Sequence, residues 1–476
     1  MVKKLSNHLP SSVGLGSGRL FTIGIEFGTM IYLMRQLGPE PFGLVAMVMS
    51  LIVMLRILQD GGSGAFLISD RVSDSSRVGA TFIVALIYSG VATLIALVCT
   101  PLVTWFYGDV RVGEIWIVVS LLIVVTSIST VPVSIAQKEQ RFLLVAWMPA
   151  LPVLVAAIVA ITLSFSRNDY WPIIIYHVVV ALLTLLVSWL VIRPRISWPK
   201  RLDLRDVFHF SKGFLTFQFL NVLNRNADDI LIGRFLGSQA LGLYGFAYRM
   251  LTLPLRRIGG TISTLAHPRL ASLAPNWDAV GHGLAEVMRE TALFVTPVCI
   301  GIALAAPELI QIVVGEAWLG ALIPLQVFAL LGIYQTPSSM LGLAYLVSQD
   351  TSRMAKWAFI STPIIILSFF IGLPWGIEGV AFAYAIASFA LLWPMVKMAA
   401  SVLHVEPRIL LNGGLSGIAK GVLISIPLSV TYGITSFLAL QPLVILSSTI
   451  AVGAMTELVL YFRVIRLRRG RVSNKW

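Results

Sequence analysis

Six polar side chains crowd into one short stretch of an otherwise apolar run: Asn221, Asn224, Arg225, Asn226, Asp228 and Asp229. Arginine offers a planar, permanently charged fork of donors that suits anions. Asparagine donates to and accepts from hydroxyl groups. A charged side chain near the centre of a bilayer costs at least about 2.5 kcal/mol even on lenient insertion scales. Such residues persist only where they face a wet cavity, pair with one another or handle a substrate. In a chain with only 12% charged residues, this cluster is the strongest pointer to function.

The cluster has a face. Gln218, Asn221, Arg225 and Asp228 recur at i, i+3, i+7 and i+10, the spacing of one helix side. It also has a counterpart. Leu33–Leu44 matches Ile232–Leu243 in the pattern R-x-L-G-x-x-x-[FL]-G-L, with Arg234 standing 199 residues after Arg35. The same displacement brings Arg19, Thr22, Glu26 and Thr29 onto Gln218, Asn221, Arg225 and Asp228. Glu26 therefore stands where Arg225 stands, with opposite charge, and Asp229 lies one turn after Arg225 and can pair with it. Weaker echoes follow in Tyr107-Gly108-Asp109 against Val314-Gly315-Glu316, and in Pro132 against Pro337. The spacing predicts that Gly38 and Gly237 end the two helices that carry the stripes.

These stripes need helices that cross a membrane. The chain is 57% hydrophobic, with a mean hydropathy of +0.88, well above the apolar share of soluble domains. Apolar runs of spanning length recur from end to end. The sequence predicts an all-α polytopic membrane protein with about 14 transmembrane helices. The expected spans are Val13–Leu33, Phe42–Leu58, Val78–Phe106, Ile115–Ile135, Leu144–Phe165, Trp171–Ile192, Phe208–Leu236, Leu241–Leu265, Met288–Val314, Ala317–Val347, Trp357–Pro374, Gly379–Leu403, Gly413–Leu438 and Val444–Phe462. Met1–Leu9 is basic and polar, but the run after it has spanning length, so it reads as a first helix and not as a cleavable signal.

The net charge of +13 is distributed as the positive-inside rule requires. Lys138 and Arg141, the connection Arg193–Lys212, and the basic tail from Arg463 fall on alternate sides of the spans from the sparse outer loops. This places both termini in the cytoplasm and argues against a nucleic-acid partner. The repeat is displaced by an even number of spans, so its halves share one orientation, an arrangement that puts substrate sites at the repeat interface. The expected division is 1–200 for a first six-helix lobe, 201–408 for a second, and 409–476 for two further helices and a tail.

No catalytic residue, cofactor or metal site is legible. There is no G-x-x-x-x-G-K-[ST], no H-E-x-x-H and no Cys/His ligand spacing, and the outer loops have no room for a sugar-processing domain. Cys99 and Cys299 lie in apolar runs and read as small hydrophobes. Trp105, Trp116, Trp171 and Trp375 read as anchors at the membrane interface. Arg249, beside Tyr244 and Tyr248, reads either as a cavity residue or as a packing strut.

Leu37–Met47, Asn224–Gly237 and Ala240–Met250 together resemble the polysaccharide transporters of Wzx type, in the MOP superfamily that also holds MATE exporters and lipid II flippases. Gly61-Gly62-Ser63-Gly64-Ala65 departs from the Gly-Leu-Ser-like sequence more usual there. The resemblance implies two six-helix lobes in a V-shaped, MATE-like arrangement plus two C-terminal helices. It implies a non-enzymatic flippase of the bacterial inner membrane that moves undecaprenyl-diphosphate-linked oligosaccharide by alternating access, for lipopolysaccharide or exopolysaccharide biosynthesis. Its partners would be that glycolipid, the bilayer, and polysaccharide polymerase and chain-length machinery.

On that basis Arg225, Arg19 and Arg249 are candidates for the anionic head group, and Asn221, Asn224 and Gln218 for the sugar hydroxyls. Glu26, Asp228 and Asp229 are candidates for coupling or gating. The alternatives are a cation-coupled, MATE-like small-molecule exporter, which needs acidic residues more than cavity arginines, and a membrane enzyme of polysaccharide assembly.

Overall fold

A computed structural model describes residues 9–56, 59, 61–69, 74–209, 211 and 226–455, and every regular element among them is a helix. The chain divides into two compact units, Met1–Gly242 and Leu243–Trp476.

The first unit opens with α1 (Leu9–Leu37), α2 (Pro39–Arg56) and α3 (Ser63–Ser69). It continues with α4 (Ser75–Val98), α5 (Thr100–Tyr107), α6 (Val110–Lys138), α7 (Phe142–Trp147), α8 (Ala150–Ser164) and α9 (Trp171–Ile192). A short helix, α10 (201–209), follows, and then α11 (Ala227–Ala271), which runs into the second unit. There lie α12 (Trp277–Leu304), α13 (Ala306–Val313), α14 (Leu322–Ser339), α15 (Gly342–Val347) and α16 (Thr351–Gly372). The last described elements are α17 (Gly376–Ala390), α18 (Leu392–Leu403), α19 (Pro407–Ile424), α20 (Ile426–Phe437) and the apolar helix α21 (Pro442–Met455).

Among the described residues, ten helical stretches are long and apolar enough to cross a membrane. Two of them, Ala227–Ala271 with 45 residues and Ser352–Leu403 with 52, are far longer than the roughly 20 residues one crossing needs. The first bends at Gly237, whose φ of 87° and ψ of 179° are not helical, and the second turns through a 3₁₀ segment at Leu373–Trp375. The protein is thus a multi-pass, all-helical membrane protein.

Several expected spans are broken where the apolar pattern predicts continuous helices. The run Val78–Phe106 breaks at Cys99, Leu144–Phe165 at Met148-Pro149, Met288–Val314 at Ala305, Gly379–Leu403 at Leu391 and Gly413–Leu438 at Ser425. The cause recurs. Pro101, Pro152, Pro307, Pro394 and Pro427 each fall within the first three residues after a break, where a missing N–H and a fixed φ suit a helix start. Trp116 also departs from its expected interface position. It is 2% exposed and its Nε1 donates to the Ala96 carbonyl at 2.7 Å, so it braces α6 against α4 and is no interface anchor. Trp105 and Trp375 are exposed, as an interface position requires.

The connection between α9 and α10 is docked, not loose. Ser197 N donates to the Ser75 carbonyl at 3.2 Å, and Lys200 N donates to Ser76 Oγ at 3.2 Å. Ser76 Oγ donates to Asp203 at 2.5 Å, while Arg77 lies 3.5 Å from Asp203 and 3.4 Å from Asp206. In the second unit a ridge of small residues seats α19 on α12. A Cβ on Gly413 or Gly417 would lie 2.4 Å from the Ala285 oxygen and 2.3 Å from the Arg289 oxygen, respectively. That i, i+4 spacing is the small-residue stripe through which membrane helices approach closely. Cys99 and Cys299 are both free thiols, and Cys299 is buried.

Candidate functional site

The repeat motif is a packed junction. Gly38 N donates to the Met34 carbonyl at 3.1 Å, and its φ of 75° ends α1; Gly237 does the same service at the bend in α11. Both conformations are left-handed and favour a residue without Cβ. The motif's second glycines meet each other's turn. A Cβ on Gly43 would lie 1.6 Å from the Ser238 oxygen, and one on Gly242 would lie 2.1 Å from the Pro39 oxygen. Ser238 and Gly242 follow Pro39 and Gly43, respectively, by 199 residues, so the contact is reciprocal under the repeat. The duplication read from sequence is therefore also a spatial symmetry of this junction.

Bonded and stacked side chains flank it. The Tyr107 hydroxyl donates to the Met47 carbonyl at 3.2 Å, and Arg234 lies over the Phe106 ring at 5.7 Å. Arg111 reaches Glu40 at 2.9 Å and Asp109 at 2.8 Å, and the Arg111 bond holds the Asp109 carboxyl below the usual carboxylate range. The fainter echoes hold as well. Gly108 and Gly315 both have positive φ after short helices with proline in their first turn, and Pro132 and Pro337 both sit inside helices.

The α1 stripe is partly as expected. Arg19 and Glu26 are exposed on the helix, with Thr22 half-buried between them. Thr29 is 4% exposed and its hydroxyl donates to the Ile25 carbonyl at 2.7 Å, so it leaves the stripe. Thr22 donates to the Gly18 carbonyl at 3.0 Å. The hydroxyl of Tyr176 on α9 is buried and has no hydrogen-bond partner among the described residues.

Gln218, Asn221, Asn224 and Arg225 lie outside the described residues, and so do the pairings of Arg225 with Glu26 and Asp229. Asp228 and Asp229 occupy the first turn of α11, where carboxylates favour the helix N-terminus. Both are half-buried and engaged with neighbours. Arg249 is exposed on α11 in the second unit, beside buried Tyr244.

Arg19 has company that the sequence does not suggest. It shares a cavity of about 660 Å³ with Gln137, Lys138 and Gln140, from the end of α6. In the sequence Lys138 carries weight only as a topology charge; the signal that marks it is the string of amide and amine side chains at the helix end. A second missed residue is Glu308 on α13, a 9% exposed carboxylate that accepts from the Tyr432 hydroxyl at 3.3 Å. Near it an apolar pocket of about 300 Å³ opens among α12, α20 and α21, with Thr449 as its one polar lining side chain among the described residues. Among the described residues no cluster of His, Cys, Asp and Glu could hold a metal.

Comparison with known proteins agrees with this architecture. The chain is 27% identical to the teichuronic acid biosynthesis protein TuaB of Bacillus subtilis (strain 168), over 88% of this chain and 89% of that protein. It is 24% identical to the succinoglycan biosynthesis transport protein ExoT of Rhizobium meliloti (strain 1021), over 71% of this chain and 68% of that one. Its fold is that of the lipid II flippase MurJ in an inward closed conformation, with a TM-score of 0.66 at 16% identity over 94% of this chain and 99% of the other. The family model described as polysaccharide biosynthesis protein matches residues 32–323, more than half of the sequence, and the chain belongs to that family.

Proposed function

We propose that the chain is a flippase that carries an undecaprenyl-diphosphate-linked oligosaccharide from the cytoplasmic to the periplasmic leaflet of a bacterial inner membrane. The product would feed lipopolysaccharide or exopolysaccharide assembly, beside a polymerase and chain-length machinery. Both termini would lie in the cytoplasm, and two repeats, 1–200 and 201–408, would rock by alternating access, with 409–476 as an appended pair of helices. No residue is assigned a catalytic role.

One observation carries the reading: α1 exposes Arg19 and Glu26 in a membrane protein of a polysaccharide biosynthesis family with the MurJ fold. Charge left exposed along such a helix is costly unless a polar cargo or a wet cavity meets it. Arg225, Arg19 and Arg249 would engage the diphosphate, and Asn221, Asn224 and Gln218 the sugars. Glu26, with Asp228 and Asp229, would couple transport to a proton or close a gate against Arg225.

The test is translocation of a fluorescent undecaprenyl-diphosphate glycan in proteoliposomes. Arg225→Ala and Glu26→Gln are each expected to lower the rate by about tenfold or more, the size of one lost charge-assisted contact. Wild-type rates in both variants overturn the site assignment. A wild-type protein that moves no glycolipid but extrudes small cationic dyes against an ion gradient overturns the function in favour of a MATE-like exporter.

A further inference from the structure

The connector after α9 is held so that it presents one face. α9 ends at Arg193, whose φ is 48° and whose Nε donates to the Leu190 carbonyl at 3.1 Å. The chain then lies against the start of α4. The hydroxyls of Ser75 and Ser197 bond at 3.0 Å, and a Cβ on Gly79 would collide with the Ser197 carbonyl oxygen. From there α10 runs along α4: Val207 packs on Ala80 and Val84, and the Phe208 ring lies 5.7 Å from that of Tyr88. Val84 follows the first residue of α4 by nine positions, about 13 Å along the helix axis. Trp198 thus sits level with the end of one membrane helix and the start of another, and Leu202 and Phe208 lie progressively deeper.

The charges on this segment are sorted. Arg193, Arg195, Lys200, Arg201 and Arg205 all occupy exposed positions. The two acids, Asp203 and Asp206, both turn to Arg77, at 3.5 Å and 3.4 Å, and Asp203 also accepts from Ser76. Among the described residues, no carboxylate lies within ion-pair distance of Arg195, Lys200, Arg201 or Arg205. Between these cations stand Trp198, 88% exposed, and Leu202, 71% exposed. The positive-inside rule asks only for charge in a loop. It does not ask for a backbone pinned to a neighbouring helix, nor for an indole left outside the fold. An indole at a span end, cations beside it and an apolar side chain below it fit the headgroup layer of a bilayer. There the ring lies among the headgroups and long basic side chains reach the phosphates.

We propose that residues 195–208 form a docking surface for anionic phospholipid headgroups, in the leaflet where α9 ends. Arg201 and Arg205, one turn apart on α10, take the phosphate oxygens with their forked donors. Arg195 and Lys200 add attraction at longer range, Trp198 sets the depth, and Leu202 enters the acyl region. The lipid is a constituent of the surrounding membrane and not a cargo, so this surface does not depend on the transport reading.

The full-length protein is placed in nanodiscs of equal parts phosphatidylglycerol and phosphatidylethanolamine, with one or the other carrying brominated acyl chains. Quenching of Trp198 is read as the difference between wild type and W198F. Brominated phosphatidylglycerol is expected to quench about threefold or more as strongly as brominated phosphatidylethanolamine. In R201Q/R205Q that ratio is expected to fall to about half or less, whereas R201K/R205K, which keeps both charges, stays near the wild type. K356Q/R408Q, which removes two exposed cations from the second unit, is also expected to keep the ratio. Should R201Q/R205Q fail to fold, raising the salt to about 0.5 M around the wild type screens the same charges and should lower the ratio likewise. Equal quenching by the two lipids overturns the proposal, and so does a wild-type ratio in R201Q/R205Q or at high salt. An equal fall in K356Q/R408Q overturns it in favour of a general charge effect. No quenching by either lipid places the indole outside the bilayer and overturns it in favour of an acidic protein partner. A wild type that keeps the ratio but moves no glycolipid removes the transport reading and leaves this surface standing.

Discussion

The two ends of α1 treat the same residue types in opposite ways. At the Gly38 end, glycines press backbone against backbone: Gly43 on the Ser238 carbonyl, Gly242 on the Pro39 carbonyl. Bonded polar groups flank that junction, with Arg111 between Glu40 and Asp109, and Tyr107 on Met47. In the middle of the same helix a methyl group added at Gly24 or Gly28 would meet nothing within 4 Å, and nearer its start Arg19 opens onto a cavity. An arginine in a membrane protein is therefore not classed by its depth or its charge. What separates strut from binding group is whether the space around it is already filled.

The largest expected effect breaks the filled end. In G43A or G242A the new methyl group meets a carbonyl oxygen of the main chain, which cannot rotate away as a side chain can. Overpacking of this kind costs about 1–3 kcal/mol per site, so each variant should melt several degrees lower in detergent, with lower yield. G24A and G28A should melt no lower than the wild type, because open space and better helix propensity act together there. If G43A melts with G28A, the contrast between the two ends is false.

Much of this contrast is legible in the sequence, and the part that is not has physical reasons. The R-x-L-G pattern predicts both helix ends, and Gly38 and Gly237 have the left-handed backbone that such ends require. α9 occupies the expected Trp171–Ile192. The breaks at Cys99, Ala305, Leu391 and Ser425 escape because hydropathy registers oil, not a missing N–H, and the apolar runs continue across them. Trp116 misleads because proximity to a span end is a one-dimensional property, whereas its bond to Ala96 depends on which way α6 faces. The spacing of Gly413, Gly417 and Gly421 is visible, but a small-residue stripe means nothing until a partner helix such as α12 is known. Arg19 emerges only through the repeat. Its meeting with Lys138 joins residues more than a hundred positions apart, which no local pattern encodes.

A smaller effect sharpens the comparison by locating the openness. The helix ends near Lys138 also include the start of α4, where Ser76 donates to buried Asp203 at 2.5 Å and Arg77 lies 3.5 Å from it. That cluster is as well satisfied as the glycine junction, so the open space belongs to α1, α7 and the end of α6 and not to this whole end of the unit. D203A strands the Ser76 hydroxyl and should cost about 1–3 kcal/mol; D203N retains an acceptor and should cost less. Thermal melts order the two variants.

The smallest expected effect concerns the ion pairs that decorate the filled end. The Asp109 carboxyl is held below its ordinary range first by its side-chain bond to Arg111, with burial opposing and the Arg111 backbone N–H adding to the effect. A carboxyl whose folded value is depressed contributes stability that is present above the unfolded value, near pH 4. That stability disappears as the pH falls through the lower, folded value. The wild type should thus lose no stability from this group between pH 7 and about pH 5, and should lose it below about pH 4. D109N should flatten that acid limb while leaving the neutral melting temperature nearly unchanged. Arg111 is 47% exposed and Glu40 50%, so solvent screens the cluster and its whole contribution should not exceed about 1 kcal/mol. A neutral-pH penalty in D109N as large as that of G43A would mean that charge, and not close backbone packing, holds the repeat junction shut.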